Sequence, residues 1–283
     1  MSNNLKIASP WSQLALFLGL LGGSLILAGI SIILIPGYHI DRPMTAGTLK
    51  FAQTISSIIL FGIPAFLYAR LTFRSHPLYE LGFRKAPTGA FYLAAVLLLL
   101  FSYPLEGWLG ILNQKIPLPQ WMIKMEQDSD RQVENLLKMK SSADLYINLL
   151  VVAVIPAIFE EICFRGALQR IMIYLFRNHW VGIIVTGILF SAFHLQFEGF
   201  LPRMFLGILL GAAYWYSGSL WTSILAHACF NGVQVVLVSQ DPKMINETPS
   251  VPWYLVVASL VLVVYLLVYM RKRSVLAVSS PIE

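Results

Sequence analysis

Apolar residues fall in eight runs separated by short polar or basic turns, at about 13–35, 50–70, 88–111, 145–175, 179–197, 201–216, 219–238 and 252–270. Most of them approach the ~20 residues an α-helix needs to cross a hydrocarbon core. None alternates over ~10 residues as a membrane β-strand does. The pattern predicts an all-α polytopic membrane protein with about eight transmembrane helices, built as a single membrane domain over residues 1–283. Within it, three N-terminal helices occupy 13–111, a core of polar motifs occupies 145–238, and a last helix occupies 252–270. The first three spans read as largely featureless. The loop 112–144 is the exception to the pattern, and the spacing of Val133, Leu136 and Leu137 predicts an amphipathic helix lying on the membrane surface.

Composition sharpens this reading. Hydrophobic residues make up 57% of the chain and charged residues 12%, with a mean hydropathy of +0.71. A soluble domain carries about twice that density of charge. The net charge of +6 is not a nucleic-acid signal, because the basic residues flank apolar runs. There, lipid head groups and insertion topology account for them. Arg70, Arg74, Arg84 and Lys85 follow the second span, Arg170 and Arg177 the fourth, and Arg271, Lys272 and Arg273 the last. All three groups share one side if both termini are cytoplasmic, which is the orientation expected. Loop 112–144 opposes this with five basic residues, but it mixes them with Glu126, Asp128, Asp130, Glu134 and Asp144. The first run is too long for the core of a cleaved signal and is read as a retained span. Cys163 and Cys229 have no ligand spacing and are read as packing residues.

Ionisable groups inside spans are costly, and each is a candidate for function. Here they concentrate in the fourth, fifth and seventh runs. Glu161 and Arg165 stand four residues apart on one helical face, where they can pair. Glu160 projects roughly 100° away. It has no basic residue three or four positions on, so its desolvated carboxyl has the surroundings a general base needs. His194 lies as many residues after the turn near Arg177 as Glu160 lies before it, which predicts that the two side chains meet across a hairpin. Such a pair can hold and polarise a water molecule. His227 and Asn231 share a face of the seventh span and offer two donors of the kind a tetrahedral oxyanion requires. The plain alternative for each group is a satisfied polar network: an ion-pair cluster, a packed histidine, an interhelical clamp. Ser191 stands near His194 but has no other mark of a nucleophile, and neither a GxSG nor a GxGD motif occurs.

Taken together, Glu160-Glu161-x-x-x-Arg165, Phe190-x-x-x-His194 and His227-x-x-x-Asn231 resemble the three motifs of the CAAX-protease and bacteriocin-processing family, which includes the type II CAAX prenyl endopeptidases. Gly166-x-Leu168-Gln169 extends the likeness, which covers about residues 145–238. The resemblance implies an eight-helix fold and an endopeptidase that activates water within the membrane. It implies Glu160 as base, His194 as a holder of the water, and His227 with Asn231 as the oxyanion hole. Glu161 and Arg165 would support them. The substrate so implied is a hydrophobic or lipid-modified peptide or protein, met among membrane lipids and without nucleic acid. No cofactor is expected, since no HExxH motif occurs. A zinc site at Glu160, His194 and His227 is the alternative ligand set. Two other functions compete: a non-catalytic immunity or scaffold protein that keeps the motifs for packing, and a transporter relaying protons through Glu160 and His194. A transporter would show related halves, and none is visible.

Overall fold

The computed structural model describes residues 4–36, 38, 44–139, 141–241, 244 and 250–274. Their main helices are α1 (Pro10–Ile33), α2 (Ala46–Thr72), α3 (Ala90–Asn113), α4 (Gln120–Leu137), α5 (Ser142–Phe176), α6 (His179–Phe193), α7 (Phe200–Ser217), α8 (Leu220–Gln240) and α9 (Trp253–Arg273). No named strand occurs among the described residues. Six helices, α1, α2, α3, α5, α8 and α9, are long and apolar enough to cross a membrane. The chain is therefore a polytopic all-α membrane protein.

The expected fifth and sixth spans depart from the eight-span reading. Helix α6 has 15 residues, about 22 Å of helix against a hydrocarbon core of ~30 Å. Helix α7 has 18 residues but is less apolar, with Arg203 in its first turn. Helix α4 is the amphipathic helix the loop pattern predicted.

Helices α2 and α5 are not regular throughout. Turns of π-helix occur at Ile58–Gly62, Leu149–Val154 and Ile162–Gln169. The first two lie just before Pro64 and Pro156. A proline has no N–H for the ladder and its ring clashes with the carbonyl four residues back, so the preceding turn widens. The third holds no proline. It carries Arg165, Gly166 and Gln169, and such turns recur at functional sites.

Two apolar cores flank the site. Helices α1, α2, α5 and α6 bury Phe17, Phe61, Tyr68, Phe164 and Phe190, whereas α3, α7, α8 and α9 bury Leu98, Leu209, Phe230 and Val263. Glycines let α7 close on its neighbours. A Cβ at Gly187 would lie 3.1 Å from both the Ile208 nitrogen and the Met204 oxygen, and one at Gly207 would lie 3.0 Å from the Gly187 Cα. Helices in lipid approach this closely only over small residues.

The basic turns gather at one end of the bundle. There Arg170 pairs with Glu80 at 3.1 Å, and the Arg84 Nε donates to the Gly218 carbonyl at 2.6 Å. Gly218 adopts φ 63°, the left-handed conformation that turns α7 into α8. At the other end, the Asn113 side chain donates to the Phe197 carbonyl at 2.7 Å, and the Phe197 N–H donates to Glu126 of α4 at 2.7 Å. The N-terminal spans are less featureless than the sequence suggested. Glu106 of α3 is buried and accepts a hydrogen bond from Ser102, and buried Lys50 of α2 lies 4.0 Å from Asp144.

Candidate functional site

Helix α5 carries both glutamates near its middle. Glu161 and Arg165 are fully buried and joined at 2.7 Å between Oε1 and Nη1. The other guanidinium nitrogen, Nη2, donates to the Gly207 carbonyl at 3.0 Å, and one turn on the Gln169 amide donates to the Gly211 carbonyl at 3.0 Å. The two bonds fix the register of α5 against α7. The second needs a glycine, because a Cβ at Gly211 would stand 2.5 Å from the Gln169 Oε1.

His227 of α8 reaches into this pair. Its Nδ1 lies 3.0 Å from Glu161 Oε1. A carboxylate only accepts, so Nδ1 carries the proton, and Nε2 is turned toward Glu160, 4.0 Å from its Oε2. Glu160 is 7% exposed, and its own helix supplies no counter-charge three or four residues on. One ring thus links the two glutamates: a bond to the paired one, and a gap of one small molecule's reach to the unpaired one.

Phe190 is the wall these groups share. Its ring centroid is 4.5 Å from the Arg165 guanidinium carbon, 4.9 Å from the His194 ring and 6.0 Å from the His227 ring. The sequence marked Phe190 as part of a motif without giving it a task. Being fully buried, it holds a cation and two imidazoles in fixed relation.

The expected meeting of Glu160 with His194 is replaced by the approach of His227. No hydrogen bond or ion pair joins Glu160 to His194 among the described residues. Counting residues from the turn assumed regular helix, but Ile162–Gln169 is π-helix, which advances less per residue. His194 caps α6, and its Nδ1 is 2.8 Å from the Phe190 carbonyl. That carbonyl accepts, so His194 also carries its proton on Nδ1 and leaves Nε2 as an acceptor. Ser191 is committed elsewhere, donating to the Phe200 carbonyl at 2.7 Å. Asn231 is half-buried one turn beyond His227, and its side chain makes no hydrogen bond among the described residues. No group of three or more His, Cys, Asp or Glu side chains arranged to hold a metal occurs among them either.

One residue near the site escaped the sequence reading. Arg203, in the first turn of α7, stands one turn before Gly207, the acceptor of Arg165, and bonds Gln196, two residues beyond His194. Its signal lay in the company it keeps, nine residues beyond His194 on the return strand of the same helical hairpin.

Residues 142–233 match the family model described as type II CAAX prenyl endopeptidase Rce1-like. The matched region begins at the first residue of α5 and ends within α8, and it contains Glu160, Glu161, Arg165, His194, His227 and Asn231. A stretch of 96 residues is also 33% identical to an Escherichia coli protein named "Uncharacterized 24.3 kDa protein", covering 31% of this chain and 42% of that one. The chain thus spans less than half the length of the curated relative it matches. No solved structure matches it.

Proposed function

We propose that this protein is an intramembrane endopeptidase of the CAAX type, which hydrolyses a peptide bond of a membrane-associated substrate with a water activated by Glu160. The observation that carries this reading is the 4.0 Å approach of His227 Nε2 to Glu160 Oε2, with His227 Nδ1 held by Glu161. A base with no lysine or arginine partner among the described residues and an oriented imidazole face one another, in surroundings from which most solvent is excluded.

In the proposed reaction Glu160 takes one proton from the water, and the oxygen attacks the scissile carbonyl carbon. The Nε2 acceptor of His194 orients the water's second hydrogen. The Asn231 amide donates to the oxyanion of the tetrahedral intermediate, and His227 joins it from Nε2 whenever that nitrogen carries a proton. Collapse breaks the C–N bond, and Glu160 returns its proton to the leaving amine. Glu161 and Arg165 touch no reacting atom; they hold His227 and α7 in place. The substrate that suits a site inside the bilayer has a hydrophobic or lipid-modified portion. The orientation we favour puts both termini on the cytoplasmic side.

Hydrolysis in water enriched in oxygen-18 tests the chemistry. Direct attack by water incorporates a single labelled oxygen into the new carboxylate and leaves no acyl-enzyme to trap with hydroxylamine. Cleavage through a trapped covalent adduct contradicts the reading.

A further inference from the structure

Arg203 is held in place yet left without a counter-ion. Its Nη1 donates to the Gln196 main-chain carbonyl at 3.1 Å, and its Nη2 donates to the Gln196 side-chain oxygen at 2.7 Å. Gln196 is itself fixed, because its amide donates to Ser129 of α4 at 2.7 Å. These two bonds are the whole of the side chain's hydrogen bonding among the described residues, and no carboxylate there lies within ion-pair distance of it. The acid that α4 brings to this end, Glu126, accepts instead from the Phe197 and Glu198 N–H groups at 2.7 and 3.4 Å. A guanidinium has five N–H donors, so three of these remain for a ligand.

Its position relative to the site gives those donors a purpose. Arg203 stands one turn before Gly207, whose carbonyl receives Arg165 Nη2 at 3.0 Å, and its partner Gln196 lies two residues beyond His194. Arg165 is fully buried and engaged with Glu161. Arg203 is only partly buried and stands at the end of the bundle where the 194–199 loop and α4 meet. A substrate that brings its own carboxylate near Glu160 meets like-charge repulsion, and a rigidly presented guanidinium offsets it. The fork geometry of arginine matches a carboxylate with two parallel bonds, which a lysine cannot reproduce.

We propose that Arg203, oriented by Gln196, is a carboxylate-binding subsite beside the Glu160 centre and selects peptides that present a carboxylate on the C-terminal side of the scissile bond. This rests on the proteolytic reading for its place in a reaction, but not for its test. The carboxylate is either the free C-terminus of the peptide or an acidic side chain close to it.

The test is binding to the full-length Glu160→Gln protein in detergent. The probes are three versions of one prenylated peptide: a free C-terminal acid, its carboxamide, and a carboxamide with aspartate in the last position. The free acid should bind at least about tenfold more tightly than the plain carboxamide, as expected for a charge-assisted pair. Adding Arg203→Gln should bring that ratio to near one, and Arg203→Lys should leave it intermediate. Recovery of affinity by the aspartate peptide identifies a side-chain carboxylate as sufficient; no recovery identifies the chain terminus. Equal affinity for acid and carboxamide, or no binding of any form, overturns the subsite. A wild-type protein that cleaves acid and carboxamide equally well keeps the protease reading and loses this one. Acid-selective binding without cleavage does the reverse.

Discussion

His227 and Glu161 are joined by a 3.0 Å hydrogen bond between Nδ1 and Oε1, and the same carboxylate oxygen receives Arg165 at 2.7 Å. A single buried oxygen thereby ties α8 to α5, and through Arg165 and the Gly207 carbonyl it also ties in α7. Glu161 is the joint of the site, and Glu160 beside it is the group left free to react.

The two glutamates should therefore fail differently. Glu161→Gln leaves Arg165 buried without its counter-charge and weakens the hold on His227, costing about 3–5 kcal/mol of stability. Glu160→Gln should leave the detergent melting curve close to that of the wild type. Equal melting shifts in the two variants would contradict the division.

The Asn231 side chain makes no hydrogen bond to the described residues, so removing its amide should cost the fold little. As an oxyanion donor its loss should slow the chemical step by roughly 10²–10³, with apparent substrate affinity nearly unchanged. Single-turnover cleavage and melting of Asn231→Ala, measured side by side, decide the matter. A large melting shift with an unchanged rate assigns Asn231 to packing.

The close contact of α6 with α7 is also testable. In Gly187→Ala the new methyl meets the Ile208 nitrogen and the Met204 oxygen at 3.1 Å, where main chain must move. We expect a loss of about 1–3 kcal/mol, read as a lower midpoint in thermal unfolding. Gly19→Ala on α1 serves as the control, since nothing lies within 4 Å of its Cβ.

Orientation can be read by labelling. A cysteine placed at Ser75, at the end of the bundle where the basic turns meet, should be shielded from an impermeant thiol reagent in intact cells. A cysteine at Lys115, at the end that holds α4, should react. The reverse pattern would invert the proposed topology. A position in the C-terminal tail such as Ser279 lies outside the described residues.

Much of this protein was legible in its sequence because lipid imposes a coarse rule: long apolar runs become helices, and charges within them need a reason. That rule, with the spacing of apolar residues, found the six long helices, the amphipathic helix α4, and the pairing of Glu161 with Arg165. What it missed depends on departures from regular helix and on contacts between distant segments. The π-turn at Ile162–Gln169 changes depth and phase just where Glu160 was being matched to His194. The bond from His227 to Glu161 crosses 66 positions of sequence, and no local spacing announces it. Gly207 and Gly211 stood in plain view as small residues one turn apart, but their task depends on Arg165 and Gln169 of another helix. Glu106, a single acid in an otherwise apolar span, met the same rule and was passed over.

The role of Glu160 can be settled with one comparison. Purified wild-type and Glu160→Gln proteins, matched for folded fraction by melting, are each mixed in excess with a prenylated peptide in detergent micelles, and the rate of a single turnover is followed by mass spectrometry. The substitution keeps the size and shape of the side chain and removes its capacity to take a proton. Cleavage by the wild type, with loss of at least about 10² in the variant, is the predicted result. A variant that cleaves at the wild-type rate would show that Glu160 is not the base.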